Sequence, residues 1–212
     1  MVNITVKRIE NLINELYSGY YIEKTVLDVF YIKDNEPIPY DEIDSHTFMK
    51  IEVGTKWGEL WDSSWFKFYG KVPKHWMGKA VVALIDIGGE GCLFKNGSPY
   101  SGITYKRESS VFEHKRRIML YKCAQGGEAV SLLVEGAANG LFGANPSWGT
   151  VWPYFQWNQA EMSIFEKNIW DLAMDMDFLL QLYKTMAPNK PRDNRKLKGF
   201  KKAVEDNAIT GY

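Results

Sequence analysis

Between Thr25 and Trp157 the chain is a succession of short runs rich in Val, Ile, Phe, Tyr and Trp, cut by Gly, Pro, Asn and Asp. β-Branched and aromatic residues fit a pleated, half-buried surface, and runs this short do not sustain a helical stripe, so the segment predicts an antiparallel all-β domain. Strands are expected over Thr25–Lys33, Ser64–Gly70, Lys79–Ile87, Gly91–Lys95, Arg117–Lys122 and Glu128–Gly136. Asn96-Gly97 lies between two of these runs, and a type I′ turn needs positive φ at both central positions, which that dipeptide tolerates best. Gly126-Gly127 turns the chain in the same way before the last run. Ala80 to Ile85 is apolar without alternation, as in a sandwich strand covered on both faces.

Helical periodicity brackets this region. Ile9, Leu12, Ile13, Leu16 and Tyr17 repeat at helical spacing with Gly19 as a stop, predicting a short N-terminal helix that docks on the sandwich. After Trp157, Asn158 reads as a cap with Glu161 three residues on. Met162, Phe165, Ile169, Leu172, Met176, Leu179 and Tyr183 then predict one long helix. Pro188 and Pro191 end it, and Asp193 to Ala208 reads as a final basic helix. The division expected is residues 1–24 for the N-terminal helix, 25–157 for the β-sandwich and 158–212 for a helical linker.

The 26 basic and 26 acidic residues of the 212 leave no net charge, so no global field draws the protein to nucleic acid or an anionic membrane. The first residues lack the apolar core of a signal peptide and no run approaches a membrane span, giving a cytoplasmic expectation. Cys92 and Cys123 show no pairing pattern and read as buried thiols. Aromatic residues make up 15% of the chain, with eight tryptophans, more than a small core requires; such rings either pack or stack on sugars.

Signatures of chemistry are sparse. His46, His75 and His114 are isolated from any metal-ligand spacing, and no phosphate-binding loop, dinucleotide fingerprint or nucleophile elbow occurs. Glu59, Asp62, Asp86, Glu90 and Glu135 lie in the β region, where a glycosidase would need two carboxylates facing each other, but they read as solvated acids and turn formers. No catalytic residue and no metal ligand is assigned.

The most informative stretch runs from Trp57-Gly58-Glu59 through Trp61-Asp62 and Trp65-Phe66, then Val72-Pro73, Trp76, Gly78-Lys79, Gly88-Gly89-Glu90-Gly91 and Asn96-Gly97-Ser98-Pro99. This order resembles the N-terminal β domain of glycoside hydrolase family 38 α-mannosidases of the cytosolic and vacuolar type. That family runs W-G, a W-F strand, V-P, W-x-G-K, G-G-E-G and D/N-G-x-P. A second block, Val134-Glu135-Gly136-Ala137-Ala138-Asn139 to Phe142-Gly143, is similar to the family's V-E-x-A-C-N-x-x-F-G, with Ala138 in place of Cys. A third, Ala160-Glu161 to Phe165 and Trp170-Asp171-Leu172 to Asp175, resembles its A-E-L-x-x-F and L-x-x-D segment. The resemblance spans Ile51 to Tyr183.

It implies a jelly-roll-like antiparallel sandwich of the galactose-binding-domain kind with flanking helices, at the noncatalytic front of a retaining α-mannosidase. The family's zinc motif, H-x-H-x-D, and its nucleophilic Asp have no counterpart in this sequence, so zinc and turnover are assigned to the catalytic domain and none to this chain. The expected roles are docking on that domain and self-association, through apolar surface on the long helix and the Asn139–Trp157 segment. A second reading is a free-standing carbohydrate-binding module with exposed tryptophans. Trp57, Gly58, Trp65, Phe66, Pro73, Gly89, Glu90, Gly91, Gly97, Glu135, Asn139, Phe142 and Gly143 are the scaffold positions of the α-mannosidase family motif that the resemblance carries over. Trp61, Trp65 and Trp76 are expected to fill the core. Long irregular segments usually form interfaces, so Trp148, Trp152, Tyr154 and Trp157 are the candidates for ligand or partner contact.

Overall fold

A computed structural model describes residues 4–33, 36–104, 115–139 and 155–186. The chain divides into two compact units, Glu23–Phe165 and one that joins the N-terminal residues up to Ile22 with those from Glu166 onward.

The first unit is the expected sandwich. One sheet has four strands in the order β1 (Tyr21–Val26), β12 (Gln159–Phe165), β6 (Val81–Asp86) and β9 (Arg117–Tyr121). The other has six, in the order β3 (Met49–Lys50), β2 (Asp28–Lys33), β5 (Ser63–Lys71), β10 (Ala129–Ala137), β7 (Glu90–Lys95) and β8 (Ser98–Ile103). A two-stranded ribbon joins β4 (Lys56–Gly58) to β11 (Phe155–Gln156). The chain passes repeatedly from one sheet to the other, and the expected strand Thr25–Lys33 is in fact two. Leu27, buried and with its N–H donated to the Ala160 carbonyl, ends β1 in the first sheet, and β2 begins the second.

Alternate residues of both sheets meet in one core: Val81, Ala83 and Ile85 from β6, Met162 and Ile164 from β12, Phe66 and Phe68 from β5, and Val134 from β10. All six positions of β6 are buried, as its unbroken apolar run requires. The Asn96-Gly97 hairpin forms with φ of 52° and 77°, and Gly126-Gly127 turns with 82° and 97°.

Gly88 is where β6 hands over to β7. Its φ is +71°, and a Cβ there would stand 2.2 Å from the Gln156 carbonyl oxygen. Gly88→Ala combines a left-handed backbone with a clash against main chain, and should lower unfolding stability by about 2–3 kcal/mol in a urea titration; a change within ~0.5 kcal/mol would show that the crossover yields freely.

The stretch after Trp157 corrects two expectations. Residues 159–165 are not the start of a helix: Ser163 pairs with Val82 and Gln159 with Asp86, in β12. Asn158 is not a cap, since its N–H donates to the Asp86 carbonyl and its Nδ2 to the Asp86 carboxylate at 3.2 Å. Gln159-Ala160-Glu161-Met162-Ser163-Ile164 alternates polar and apolar residues as a strand does, but Met162, Phe165 and Ile169 also match helical spacing by coincidence, and that spacing runs on into the true helix. The helix begins at Lys167 (α2, Lys167–Met186), and the sandwich therefore ends at 165 rather than 157. The N-terminal helix (α1, Ile4–Gly19) places its apolar stripe on α2: Ile13, Met176 and Leu180 form a small core beneath Ile9, Leu12, Leu16 and Tyr183. Tyr17 donates to Asp177 at 2.9 Å and Lys184 pairs with Glu10 at 2.8 Å. The basic helix expected over Asp193–Ala208 lies outside the described residues.

Candidate functional site

Three tryptophans spaced four apart, Trp57, Trp61 and Trp65, take three different positions. Trp57 on β4 points into the core, edge-on to Phe66 at 5.2 Å, and donates Nε1–H to the Ile87 carbonyl at 2.6 Å. Trp65 on β5 lies in a second cluster with Ile32 and Ile43, and donates Nε1–H to the Ile38 carbonyl at 2.8 Å. Trp76 is also in the core. Trp61 is not: 67% of it is exposed, and its φ is +76°.

The turn around Trp61 is held from several sides. The Asp62 N–H donates to the Glu59 carbonyl at 3.0 Å, and the Glu59 N–H donates to the Asp62 carboxylate at 2.8 Å. The Trp61 N–H donates to the Ala138 carbonyl and the Ala138 N–H to the Asp62 carbonyl, each at 2.8 Å. A bulky residue in the left-handed region costs about 1–3 kcal/mol and persists only where its surroundings over-determine it. Here the backbone is clamped while the indole stands in solvent, so Trp61 gains little by packing in this chain. The core role expected of it is corrected to a displayed one.

Trp157, a candidate for ligand contact, is corrected in the opposite sense. It is 1% exposed, stacks on Phe66 at 5.8 Å and meets Phe68 at 5.6 Å. Its faces are taken up by the core, leaving none for a sugar. Trp148, Trp152 and Tyr154, with Phe142 and Gly143, lie outside the described residues. Glu135 pairs with Trp65 and Cys92 across β10, Glu90 opens β7, and Asn139 follows β10. Gly89 and Gly91 make close approaches: a Cβ on Gly89 would lie 2.6 Å from the Ala137 carbonyl oxygen, and one on Gly91 3.0 Å from Val134. Pro73 leads into a single 3₁₀ turn, Lys74–Trp76. Cys92 is half-buried and Cys123 is exposed, so the expectation of two buried thiols holds for neither in full.

The carboxylates behave as turn formers and pair partners. Asp86, buried, accepts from the Gly88 N–H at 2.8 Å, and Glu59 pairs with Lys56 at 2.9 Å. Among the described residues no group of three or more His, Cys, Asp or Glu stands together to hold a metal, so zinc finds no fitting ligand set there. No described helix is long and apolar enough to cross a membrane.

Glu23 binds two donors at once, the Trp76 indole N–H and His75 Nε2, each at 2.8 Å. The Trp76 hydrogen bond, then that of His75, holds the Glu23 carboxyl below its ordinary range. A lowered folded-state pKa means stability that is present above the unfolded carboxylate pKa and lost as pH falls through the folded one. The stability gap between the protein and Glu23→Gln should therefore be full at neutral pH and close in acid below the ordinary carboxylate range. A gap that does not change from neutral pH into that acid range would show that the charge of Glu23 is not what the indole needs.

Sequence reasoning missed a cleft of about 560 Å³ lined by Tyr40, Lys95, Tyr100, Tyr121 and consecutive residues of β9 and β10. Tyr40 stacks on Phe94 with rings 9° from parallel at 5.3 Å and meets Trp65 edge-on at 5.9 Å. The Lys95 ammonium lies over the Tyr100 ring at 5.1 Å. Burial pushes the Tyr121 phenol up, with the Glu128 charge adding to it, so it stays a donor, to the Ala129 carbonyl at 3.3 Å. One signal was legible: Ser98-Pro99-Tyr100 carries a proline, which marks an edge strand whose aromatic is left in solvent.

A jelly-roll sandwich followed by a helix, with Trp57, Trp65, Trp76 and Trp157 buried and Trp61 displayed on a clamped turn, defines a β-sandwich module. Residues 24–166 match the family model described as the α-mannosidase jelly roll domain, and the chain belongs to that family. Among curated proteins it is 27% identical over 202 residues to human alpha-mannosidase 2C1, covering 89% of this chain and 19% of that protein. It is 23% identical over 210 residues to alpha-mannosidase G of Dictyostelium discoideum, covering 92% and 19%. The chain thus spans about a fifth of the length of these relatives. Among solved structures, a β-glucuronidase of Ruminococcus gnavus aligns over 69% of this chain and 30% of its own, at 12% identity and a TM-score of 0.47.

Proposed function

We propose that this chain is the noncatalytic N-terminal module of an α-mannosidase and that it docks on the remaining polypeptide of that enzyme through the Trp61 turn. The observation that carries the docking is the exposed indole on a positive-φ backbone, clamped by four hydrogen bonds. Large aromatic side chains displayed on rigid backbone are what interface hot spots are made of. The enzyme context is supported by relatives named α-mannosidases that extend far beyond the aligned region. On this reading the parent is a cytoplasmic enzyme of glycoside hydrolase family 38, and hydrolysis of terminal α-mannosides with zinc belongs to its catalytic part.

The test has two arms. The chain alone should show no turnover of an aryl α-mannoside, with or without added zinc; turnover that survives purification and disappears on mutation of an acid in this chain overturns the noncatalytic assignment. Calorimetric titration with the polypeptide that follows this module in an α-mannosidase of the family should show binding that Trp61→Ala weakens. Equal affinity for the two forms overturns the docking role.

A further inference from the structure

The cleft beside Tyr40 has a structural origin. β10 pairs with β5 along all nine of its residues but with β7 only from Leu133 to Ala137. A register shift between Leu93 and Phe94 in the β7–β8 pair accompanies the end of that pairing, and the chain turns at Asn96-Gly97. Among the described residues no strand pairs with Ala129 to Leu132 on that side, and across the gap runs β9, the edge strand of the other sheet. Consecutive residues of both strands line the space, so it is a slot between two strand edges rather than one face of a sheet.

We propose that this slot is a binding site for a neutral hexopyranose saccharide, distinct from the Trp61 turn and separate from the docking reading. Its volume of about 560 Å³ lies within the range of small-molecule sites, about 300–1,000 Å³. A pyranose has apolar C–H patches ringed by hydroxyls, and the slot offers the complement of both. Leu93, Ile118, Val130 and Leu132 supply apolar wall, while Tyr40 and Tyr100 supply ring surface, 42% and 60% exposed. The Lys95 ammonium, the Asn96 amide, the Ser131 hydroxyl and the tyrosine hydroxyls supply hydrogen bonds.

Tyr40 is set in advance of any ligand. Phe94 and Trp65 brace its ring, and its hydroxyl lies where a Cβ on residue 97 would be 3.3 Å away, so glycine at that position gives it room. Fixed aromatic surface spares a weak ligand the entropy of ordering its site. Among the described residues none that lines the slot is a carboxylate, so those residues supply neither the acid nor the nucleophile of glycoside cleavage and would hold a sugar without cutting it.

Trp65, 3% exposed and edge-on to Tyr40, is a built-in reporter. The 212-residue chain is titrated with methyl α-D-mannoside, α-linked mannobiose, maltose and lactose, reading tryptophan fluorescence and backbone amide shifts. At least one should saturate in the millimolar range, with shifts at Lys95–Gly97, β9 and Ala129–Leu132. Tyr100→Ala, at an exposed position where thermal melting checks the fold, should weaken it by about tenfold, and Tyr40→Ala by a comparable factor. Trp61→Ala should leave it unchanged. No saturation by any of the four saccharides up to roughly 50 mM, a limit that already corresponds to very weak binding, overturns the proposal. So does binding that survives Tyr100→Ala, or shifts that map away from the slot.

Discussion

Trp157→Ala should be the most destabilising single substitution proposed for the sandwich, at about 4 kcal/mol, because emptying a buried tryptophan site leaves a cavity as well as losing apolar transfer energy. The ring lies against Phe66 and Phe68 of β5. Its main chain is fixed too: the Trp157 N–H donates to the Thr55 carbonyl at 3.0 Å and its carbonyl accepts from Gly54 at 2.8 Å. A site with walls on paired strands and a pinned backbone collapses little, which puts the cost near the top of the large-to-small range. Urea unfolding should show a lower midpoint with an unchanged slope. Trp157→Phe keeps a stacked ring and should recover about half of the loss. A cost below ~1 kcal/mol for the alanine variant would mean that Trp157 is not a core residue.

This residue also marks the limit of what the sequence discloses. Trp157 belongs by composition to the irregular stretch before it, and only its neighbours in space, Phe66 and Phe68 on β5 and Thr55, all far earlier in the chain, make it core. The strands that were legible, β5, β6, β7, β9 and β10, carry apolar runs set off by turn signals such as Gly88-Gly89, Asn96-Gly97 and Gly126-Gly127. The one taken for helix, β12, alternates from Gln159 to Ile164 but has no glycine at its end, and the 20 residues of α2 continue the helical spacing that Met162 and Phe165 happen to match. β8 escaped because Ser98-Pro99-Tyr100-Ser101-Gly102 has the composition of a loop, which is also how an edge strand is composed. Beyond the proline that marks its edge strand, the slot beside it could not be read, since it depends on where β7 stops pairing with β10, a register that no local pattern encodes. At Trp61 the sequence pointed inward, as tryptophan ordinarily does; the positive φ forced by the Glu59–Asp62 turn sends it out.

Trp61→Gly is therefore expected to move stability and assembly in opposite directions. Glycine adopts a φ of +76° without strain, so the variant should gain about 1 kcal/mol by relief, partly offset by the extra freedom of its unfolded chain. The indole that is lost is 67% exposed and contributes little burial to set against this gain. Affinity for the remaining polypeptide of the enzyme should meanwhile fall by about 30-fold or more, the usual effect of deleting an aromatic hot spot worth ~2 kcal/mol. Trp61→Ala separates the two effects, since it loses the indole but keeps a Cβ in the strained backbone, and should match glycine in affinity while gaining none of the stability. Urea unfolding of the three forms, alongside calorimetric titration of each, reads both quantities. A glycine variant that unfolds more easily than the original by 1 kcal/mol or more, on the same scale of strain, would place the indole in a packed site of this chain. It would remove the reason for regarding Trp61 as a residue held out for a partner.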